Sequence, residues 1–460
     1  ITQEGVGDLY SPILPHEINK IYVKLIRRLV EVIRSAMQEN VAGIDAAIIL
    51  YFHFAHEAIC AHQASILIQR AKHDEYEVVV SGANRLISAF LQGEIPALPA
   101  RIFDNLRSGP PSAKWWRLPF RLVRDLLMSL REGIKRWLFF SNRYQKCIMT
   151  TIVDKLAVAQ SQATPNKVFF RRFNTWFRKP EPQKTSHPDF KEIKQRLLQG
   201  MQQTLSESPD GLFPHISQYM SLWLDEAFQW IGCYLEQLLA KPHRIPKYLW
   251  THTSGDMWSR ILARGVRKNG GEVTRFSHGA GAAYFQEPHE QACNEFEDCD
   301  VFVALSKKQA LSFDTAFTGK DLVQQAPPYF IAITQQRTIF SRKKITAKKK
   351  NNRLNVMYIA TVYTNEHVYT SSNGLMSGIT LLDWEARLIS KLKNWNFTVM
   401  LKPHPADELA ITTPKNLEKL HGSVIVNGLL EDVLGQADTL NRMAMIYAQQ
   451  GEIERAQTLH

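Results

Sequence analysis

The chain contains little cysteine and no apolar run of membrane-spanning length. Its five cysteines, in 460 residues, are odd in number and scattered, and no CxxC pair occurs. This usage is typical of reduced thiols in a cytoplasmic protein and argues against a disulfide framework. No stretch approaches about 18 uninterrupted apolar residues, so we expect no transmembrane helix. The opening "ITQEGVGDLY" lacks the basic start and apolar core of a signal peptide.

Residues that could bind a metal are also sparse. Cys293 and Cys299 lie six positions apart, but no second pair of ligands accompanies them. His53 and His56 have a spacing that can hold a metal, and His62 follows. Three histidines placed in this way are more often unrelated, and we therefore predict no metal site.

The overall composition is that of a globular protein with an excess of positive charge. Hydrophobic residues make up 45% of the chain and charged residues 22%, and the length is enough for roughly two or three domains. The net charge of +12 is concentrated in residues 101–179, which contain 17 Lys and Arg against four Asp and Glu. This segment is also rich in aromatic residues.

The basic segment includes an amphipathic pattern. Apolar residues recur at steps of three and four, which predicts one face of a helix: Phe120, Val123, Leu127, Leu130, Ile134 and Trp137. Such a helix could lie on an anionic membrane surface or contact nucleic-acid phosphates. A core helix with a solvated basic side is the ordinary alternative. No nucleic-acid motif accompanies the pattern, so we rank the membrane surface above nucleic acid.

Alternating helix and strand patterns predict an α/β protein. Near the N-terminus we predict an amphipathic helix, a buried strand at residues 45–54, a helix and a second strand at residues 76–82, which implies a parallel pair. After a helical region that ends near Lys241, strands and helices alternate from Tyr248 onward. A basic polar linker at residues 341–353 separates this part from a second α/β unit.

The stretch "VMLKPHPAD" places charged residues where a buried strand ends. We predict a strand at residues 397–401, followed at once by Lys402 and His404, each of which precedes a proline. Proline keeps the preceding residue extended, and ligands of open α/β sheets bind beyond the carboxyl ends of strands. The pattern therefore indicates an anion-binding strand end, although a strand followed by a rigid proline turn fits equally well.

A second strand end has a comparable pattern in "RFSHGAG". His278 follows an apolar strand and precedes Gly279 and Gly281. Glycines allow backbone N–H groups to approach an anion closely, and an imidazole titrates near neutral pH, as a general base requires. A structural histidine in a tight turn is the alternative.

The order of these motifs resembles that of GT-B-fold glycosyltransferases that build bacterial surface polysaccharides. The resemblance covers residues 248–438 and rests on the "HG" turn of one α/β unit and the "KPHP" strand end of the next. It is similar to capsule, Kdo and sialic-acid transferases, and also to CDP-glycerol glycerophosphotransferases.

The resemblance implies roles for individual residues. His278 would be the catalytic base, His404 would contact the donor's nucleotide phosphate, and Lys402 would assist it. Gly279 and Gly281 would contribute to donor binding. Such enzymes act without a cofactor or structural metal, and their donor lies in the cleft between two Rossmann-like domains. The implied partners are a CMP-, CDP- or UDP-linked donor and a glycan or lipid-linked acceptor.

The C-terminus departs from this family pattern after residue 438. Six positions match the spacing of a tetratricopeptide repeat: Leu440, Met443, Ala444, Tyr447, Gly451 and Ala456. The chain ends before a full repeat, and an ordinary pair of amphipathic helices is the alternative. We therefore expect the second Rossmann-like domain to be incomplete, and a protein partner could bind the terminal helices.

These patterns predict two Rossmann-like domains and a helical tail. The N-terminal acceptor domain spans residues 1–340, with a basic helical insertion at about 100–240. The partial donor domain spans 351–438, and the tail spans 439–460. Three functions stay open: a cytoplasmic transferase, peripheral at the inner face of the membrane; a non-catalytic scaffold; and, motivated by the basic segment alone, a nucleic-acid-binding protein.

Overall fold

The computed structural model describes separate stretches of the chain. These are residues 15–73, 85–109, 190–206, 213–251, 257–277, 292–317, 322–324, 326–332, 355–359, 387–395, 397–402 and 424–425, with short pieces at 147–149, 168–170 and 176–179 and single residues 157, 160 and 173.

The described part of the chain is rich in α-helix. Its helices are α1 Pro15–Gln38, α2 Ile44–His73, α3 Arg85–Gln92, α4 Ala100–Ser108, α5 Lys191–Leu205, α6 Phe213–Leu239, α7 Met257–Lys268 and α8 Lys307–Ala316. Residues 387–394 are also helical. A 3₁₀ turn occupies Pro242–Arg244, and a single π-helical turn occupies Ala292–Phe296.

Six parallel strands form one sheet. They are β1 Cys147–Met149, β2 Val168–Phe170, β3 Tyr248–Thr251, β4 Glu272–Phe276, β5 Val301–Ala304 and β6 Tyr329–Ala332. Their order across the sheet is β2-β1-β3-β4-β5-β6, and every neighbouring pair is parallel. The sequence did not predict β1 and β2, which come from the basic region.

A second parallel sheet contains β7 Asn355–Ile359, β8 Thr398–Lys402 and β9 Val424–Ile425, with β8 in the middle. Both sheets are parallel, and in the described residues helices lie between several successive strands, so the protein is of the α/β class. The chain divides into two compact units. One comprises Lys20–Ser65 and Arg85–Ile339 and contains the six-stranded sheet; the other comprises Ile1–Asn19, Ile66–Asn84 and Phe340–His460 and contains the three-stranded sheet.

The predicted strand at residues 45–54 is wrong, because this stretch is the first part of α2. Consecutive residues of this helix are buried, including Ala46, Ala47, Ile48, Ile49 and Leu50. A helix that is apolar all round has no polar face, so its sequence loses the 3.6-residue period and resembles a buried strand.

Helix α2 is also relevant to the prediction that the chain contains no transmembrane helix. Within the described residues, Ile44–Gln69 is long and apolar enough to cross a membrane, although 72% of its most apolar window is buried inside the protein. Such burial is also found in the core helices of globular proteins, so the segment is weak evidence for a membrane span.

Most of the other predicted elements in the described residues are confirmed. The N-terminal amphipathic helix is α1, and the patterns from Tyr248 onward correspond to β3, α7, β4 and β5. Gly270, with φ of 70°, follows α7 as the predicted glycine stop. The predicted strand at residues 76–82, the amphipathic helix around residues 119–137 and the tail at residues 439–460 lie outside the described residues.

Aromatic side chains fill the space between α8, β5, β6 and the π-helical turn. Phe296 lies at the centre of this cluster, with ring centroids 4.7 Å from Phe302, 5.3 Å from Phe313 and 4.6 Å from Phe317. Phe330 of β6 packs against the same group. Most of these pairs meet edge to face, an arrangement that adds to the stabilisation from apolar burial.

Close packing also joins α6 to α7. A Cβ atom added at Gly265 of α7 would overlap the side chain of Leu238, which is buried near the end of α6. The absence of a side chain therefore allows the two helices to approach each other, at a position where glycine is otherwise unfavourable for a helix.

We expect Gly265→Ala to lower the free energy of unfolding by about 1–3 kcal/mol, because the extra methyl group would overpack the α6–α7 contact. Urea denaturation followed by circular dichroism measures the change. Helix propensity alone predicts the opposite sign, a gain of about 1 kcal/mol. A more stable variant would show that the helices separate freely.

Candidate functional site

The carboxyl ends of β3, β4 and β5 define the candidate site. Because the strands are parallel, Thr251, Phe276 and Ala304 end at the same edge of the sheet. Strand β2, which follows β1 in the sequence, pairs with one side of β1, and the next strand, β3, pairs with its other side. The direction of the strand order therefore reverses between β1 and β3. Ligands of open α/β sheets bind at the carboxyl edge beside such a reversal.

A buried polar chain lies beneath this edge. The hydroxyls of Thr251 and Ser259 are 2.9 Å apart, and the guanidinium of Arg275 donates to the Ser259 hydroxyl at 3.0 Å. All three residues are fully buried. These hydrogen bonds link Thr251, the last residue of β3, to Ser259 of α7 and to Arg275 of β4. They thus hold the positively charged Arg275 side chain on the central strand β4.

Arg275 is an unusual residue for the interior of a parallel strand. Burial lowers its pKa to about 10, and the nearby Cys299, Asp298 and Glu295 oppose this shift. At neutral pH the group therefore keeps its positive charge. The arginine within the strand "EVTRF" is the sequence signal from which this buried cation could have been predicted.

A second polar network lies beside β4 and β5. The side-chain amide of Gln309 donates to the Ser277 hydroxyl at 3.4 Å, and its oxygen accepts from the backbone N–H of Leu305 at 2.7 Å. The Ser306 hydroxyl caps α8 by accepting from the backbone N–H of Gln309 at 3.1 Å. Gln309 thus joins the end of β5, the start of α8 and the residue after β4.

Ser277 is the last described residue before the predicted glycine turn. Its backbone N–H donates to the Val303 carbonyl at 3.0 Å, which extends the ladder between β4 and β5 by one residue. His278 follows directly in the sequence. His278, Gly279 and Gly281 themselves lie outside the described residues, so their predicted roles stay predictions.

The other part of the predicted site lies in the other compact unit. Lys402 is the last residue of β8, the middle strand of its sheet, and pairs in register with Ile359 of β7. The prediction that a strand ends at this lysine is therefore confirmed to within one residue. His404 lies outside the described residues.

A buried carboxylate cluster joins α2 to the segment after the π-helical turn. Glu297 accepts a hydrogen bond from the Tyr51 hydroxyl at 2.7 Å and from the backbone N–H of Val323 at 3.1 Å. Burial, followed by the nearby Asp298 carboxylate, raises the pKa of Glu297. Arg260 lies close by and donates to two backbone carbonyls. Because the cluster is sealed from solvent, we interpret it as structural.

The cysteines and histidines considered as metal ligands do not form a site. The described residues contain no group of three or more His, Cys, Asp or Glu side chains arranged to hold a metal. His62 lies buried and His53 half-buried on α2, and desolvation lowers the pKa of His53 to about 3 and that of His62 to about 4. Cys299 is buried as well, and burial raises its thiol pKa to about 12.

Comparison with known protein families, curated proteins and solved structures finds no match for this chain. The fold class therefore rests on the structure itself, and the function rests on the residues at the strand ends.

We expect Gln309→Ala to destabilise the protein by about 1–3 kcal/mol, because the partly buried Leu305 N–H would lose its acceptor. Chemical denaturation measures the loss. Ser306→Ala is the matched control, since it removes only the helix cap, at a cost of about 1 kcal/mol. Equal stability of Gln309→Ala and the parent chain would exclude this structural role.

Proposed function

We propose that the protein is a GT-B-type glycosyltransferase that transfers a sugar from a nucleotide-activated donor to a surface polysaccharide or lipid-linked acceptor. The observation that carries this proposal is the position of Ser277, the first residue of the sequence "SHGAG". Ser277 is held at the carboxyl end of β4, in the interior of a parallel sheet, and His278, Gly279, Ala280 and Gly281 follow it at once.

The proposed chemistry requires a base and a stabilised leaving group. His278 accepts the proton of the acceptor hydroxyl while the hydroxyl oxygen attacks the anomeric carbon of the donor. The bond between that carbon and the phosphate oxygen breaks, and the nucleotide leaves with the bonding electrons. A general base contributes typically 10²–10⁴-fold to such a reaction.

The phosphate end of the donor needs positive charge or hydrogen-bond donors. Lys402 stands at the end of the middle strand β8, and His404 follows two residues later, before a proline. An ammonium and an imidazole at a strand end can neutralise a phosphate by charge-assisted hydrogen bonds without a metal ion. The proposal accordingly includes two Rossmann-like domains and no cofactor.

Location and partners form part of the same proposal. A donor of this type and a lipid-linked acceptor meet at the inner face of the membrane, so the enzyme would be cytoplasmic and peripheral. Residues 439–460, with their repeat-like spacing, would offer a surface to a protein partner. If no activated donor binds, the scaffold hypothesis is favoured instead.

We expect His404→Ala to weaken binding of the nucleotide donor by roughly 1.5–3 kcal/mol, the size of a hydrogen bond to a charged group. A thermal-shift screen of CMP-, CDP-, UDP- and GDP-linked donors first selects the ligand, because a bound ligand raises the melting temperature. Calorimetry of the variant then measures the change in Kd. Unchanged nucleotide affinity would contradict the role of His404.

We expect His278→Ala to lower turnover by about 100-fold or more while donor affinity stays nearly constant, because the base acts on the acceptor. Single-turnover transfer assays measure the effect. His73→Ala is a matched control, since His73 is exposed, is the last residue of α2 and belongs to no part of the proposed site. Normal turnover of His278→Ala would assign this histidine a structural role.

A further inference from the structure

Exposed cations gather at the amino end of β3, opposite the candidate site. They come from three short pieces of chain: residues 176–179, the residues that follow α6, and the residue before β3. We call this group the amino-edge patch; it consists of Arg178, Lys179, Lys241, His243, Arg244 and Lys247.

Hydrogen bonds to backbone groups hold these pieces together. The indole N–H of Trp176 donates to the Arg244 carbonyl at 3.0 Å, and the backbone N–H of Arg178 donates to the Gln237 side chain at 2.9 Å. The backbone N–H of Glu272 donates to the Lys247 carbonyl at 2.8 Å. The fold therefore fixes the backbone of the patch, while its long side chains reach into solvent.

The positive charge of the patch is not neutralised within the described residues. Its six side chains form no ion pair there, whereas the neighbouring Arg267 and Lys268 pair with Asp300 and Asp45. Two exposed carboxylates, Glu236 and Glu272, lie on the adjoining elements. Five Lys and Arg side chains thus outnumber them, so the surface is net positive at neutral pH.

The position of the patch excludes a role at the strand ends where ligands of such sheets bind. Lys247 immediately precedes β3, whereas Thr251 and Ser277 mark the carboxyl edge. A phosphate bound at the carboxyl edge therefore cannot account for these cations. They form a surface suited to a larger anionic partner.

We propose that the amino-edge patch docks the protein on an anionic lipid bilayer. Lysine ammonium groups are flexible point charges, which match a diffuse anionic surface better than a defined sequence of bases. Single-stranded nucleic acids are bound with exposed aromatic rings on which bases stack; here Trp176 is buried and Tyr248 is half-buried, with the Lys247 ammonium 5.7 Å from its ring centroid. The inference deepens the peripheral location included in the proposed function, but its vesicle-binding test does not depend on sugar transfer.

The test compares two double charge reversals in the full chain. Lys241→Glu with Lys247→Glu changes the patch. Lys307→Glu with Lys308→Glu changes two exposed lysines at the start of α8, where β5 has just ended at the carboxyl edge. Both variants alter the net charge equally. The probes are vesicles of phosphatidylcholine alone and vesicles with about one third phosphatidylglycerol, a composition that gives a strong negative surface potential.

We expect the parent chain to co-sediment with the anionic vesicles and to be released as salt shortens the Debye length below about 10 Å. The patch variant should bind at least about tenfold more weakly, since each basic residue near the surface contributes up to about 1 kcal/mol. The α8 control should retain most of its binding. Melting curves of both variants check that they are folded.

Four outcomes would overturn the proposal. Equal binding to neutral and anionic vesicles would show that anionic lipid is not recognised. Equal loss in both variants would assign the attraction to net charge, and no loss in the patch variant would assign it to another segment, such as residues 119–137. Finally, patch-dependent binding to duplex DNA that is tighter than vesicle binding would identify a nucleic-acid surface instead.

Discussion

The central strands of the parallel sheet must be covered on both faces, and much of the described structure depends on this constraint. Successive residues of a strand point to opposite faces, yet almost every residue of β3, β4 and β5 is buried. No face is left to water, as is usual for parallel sheets. Helices and aromatic clusters must therefore close over the strands, and any polar side chain in them must find a partner inside.

The polar residues of the interior follow from the same constraint. Thr251 and Arg275 belong to buried strands, and an unpaired hydroxyl or cation there would carry a large desolvation cost. Ser259 of α7 forms hydrogen bonds with both. Gln309 of α8 accepts a hydrogen bond from the backbone N–H of Leu305, which follows β5, and donates one to the Ser277 hydroxyl. The helices that cover the sheet thus also fix the carboxyl ends of the strands, including Ser277 after β4.

The two edges of the six-stranded sheet differ in chemical character. The carboxyl edge has a buried, hydrogen-bonded polar layer directly before His278, which suits a site with defined geometry. The amino edge presents exposed lysine and arginine side chains with few neighbouring acids, which suits a broad electrostatic contact. Both proposals made for this protein rest on this division, one for each edge.

The sequence alone determined the elements whose patterns are local. Short apolar strands bounded by polar turns identified β3, β4, β5 and β8, and the glycine after α7 marked its end, because these signals depend only on nearby residues. The position of Lys402 at a strand end followed in the same way. The helical state of residues 45–54 could not be predicted in this way, because burial on all sides removes the amphipathic period.

Only the tertiary structure decided which distant residues meet. It brought Ser259 to Arg275, Gln309 to Ser277 and Tyr51 to Glu297, pairs for which sequence spacing gives no direct signal because the partners lie on different elements. It also added β1 and β2 to the sheet, since strands of three residues are too short for a pattern and form only through pairing with a neighbour. The amino-edge patch likewise exists only because folding gathers lysines and arginines from separate segments onto one surface.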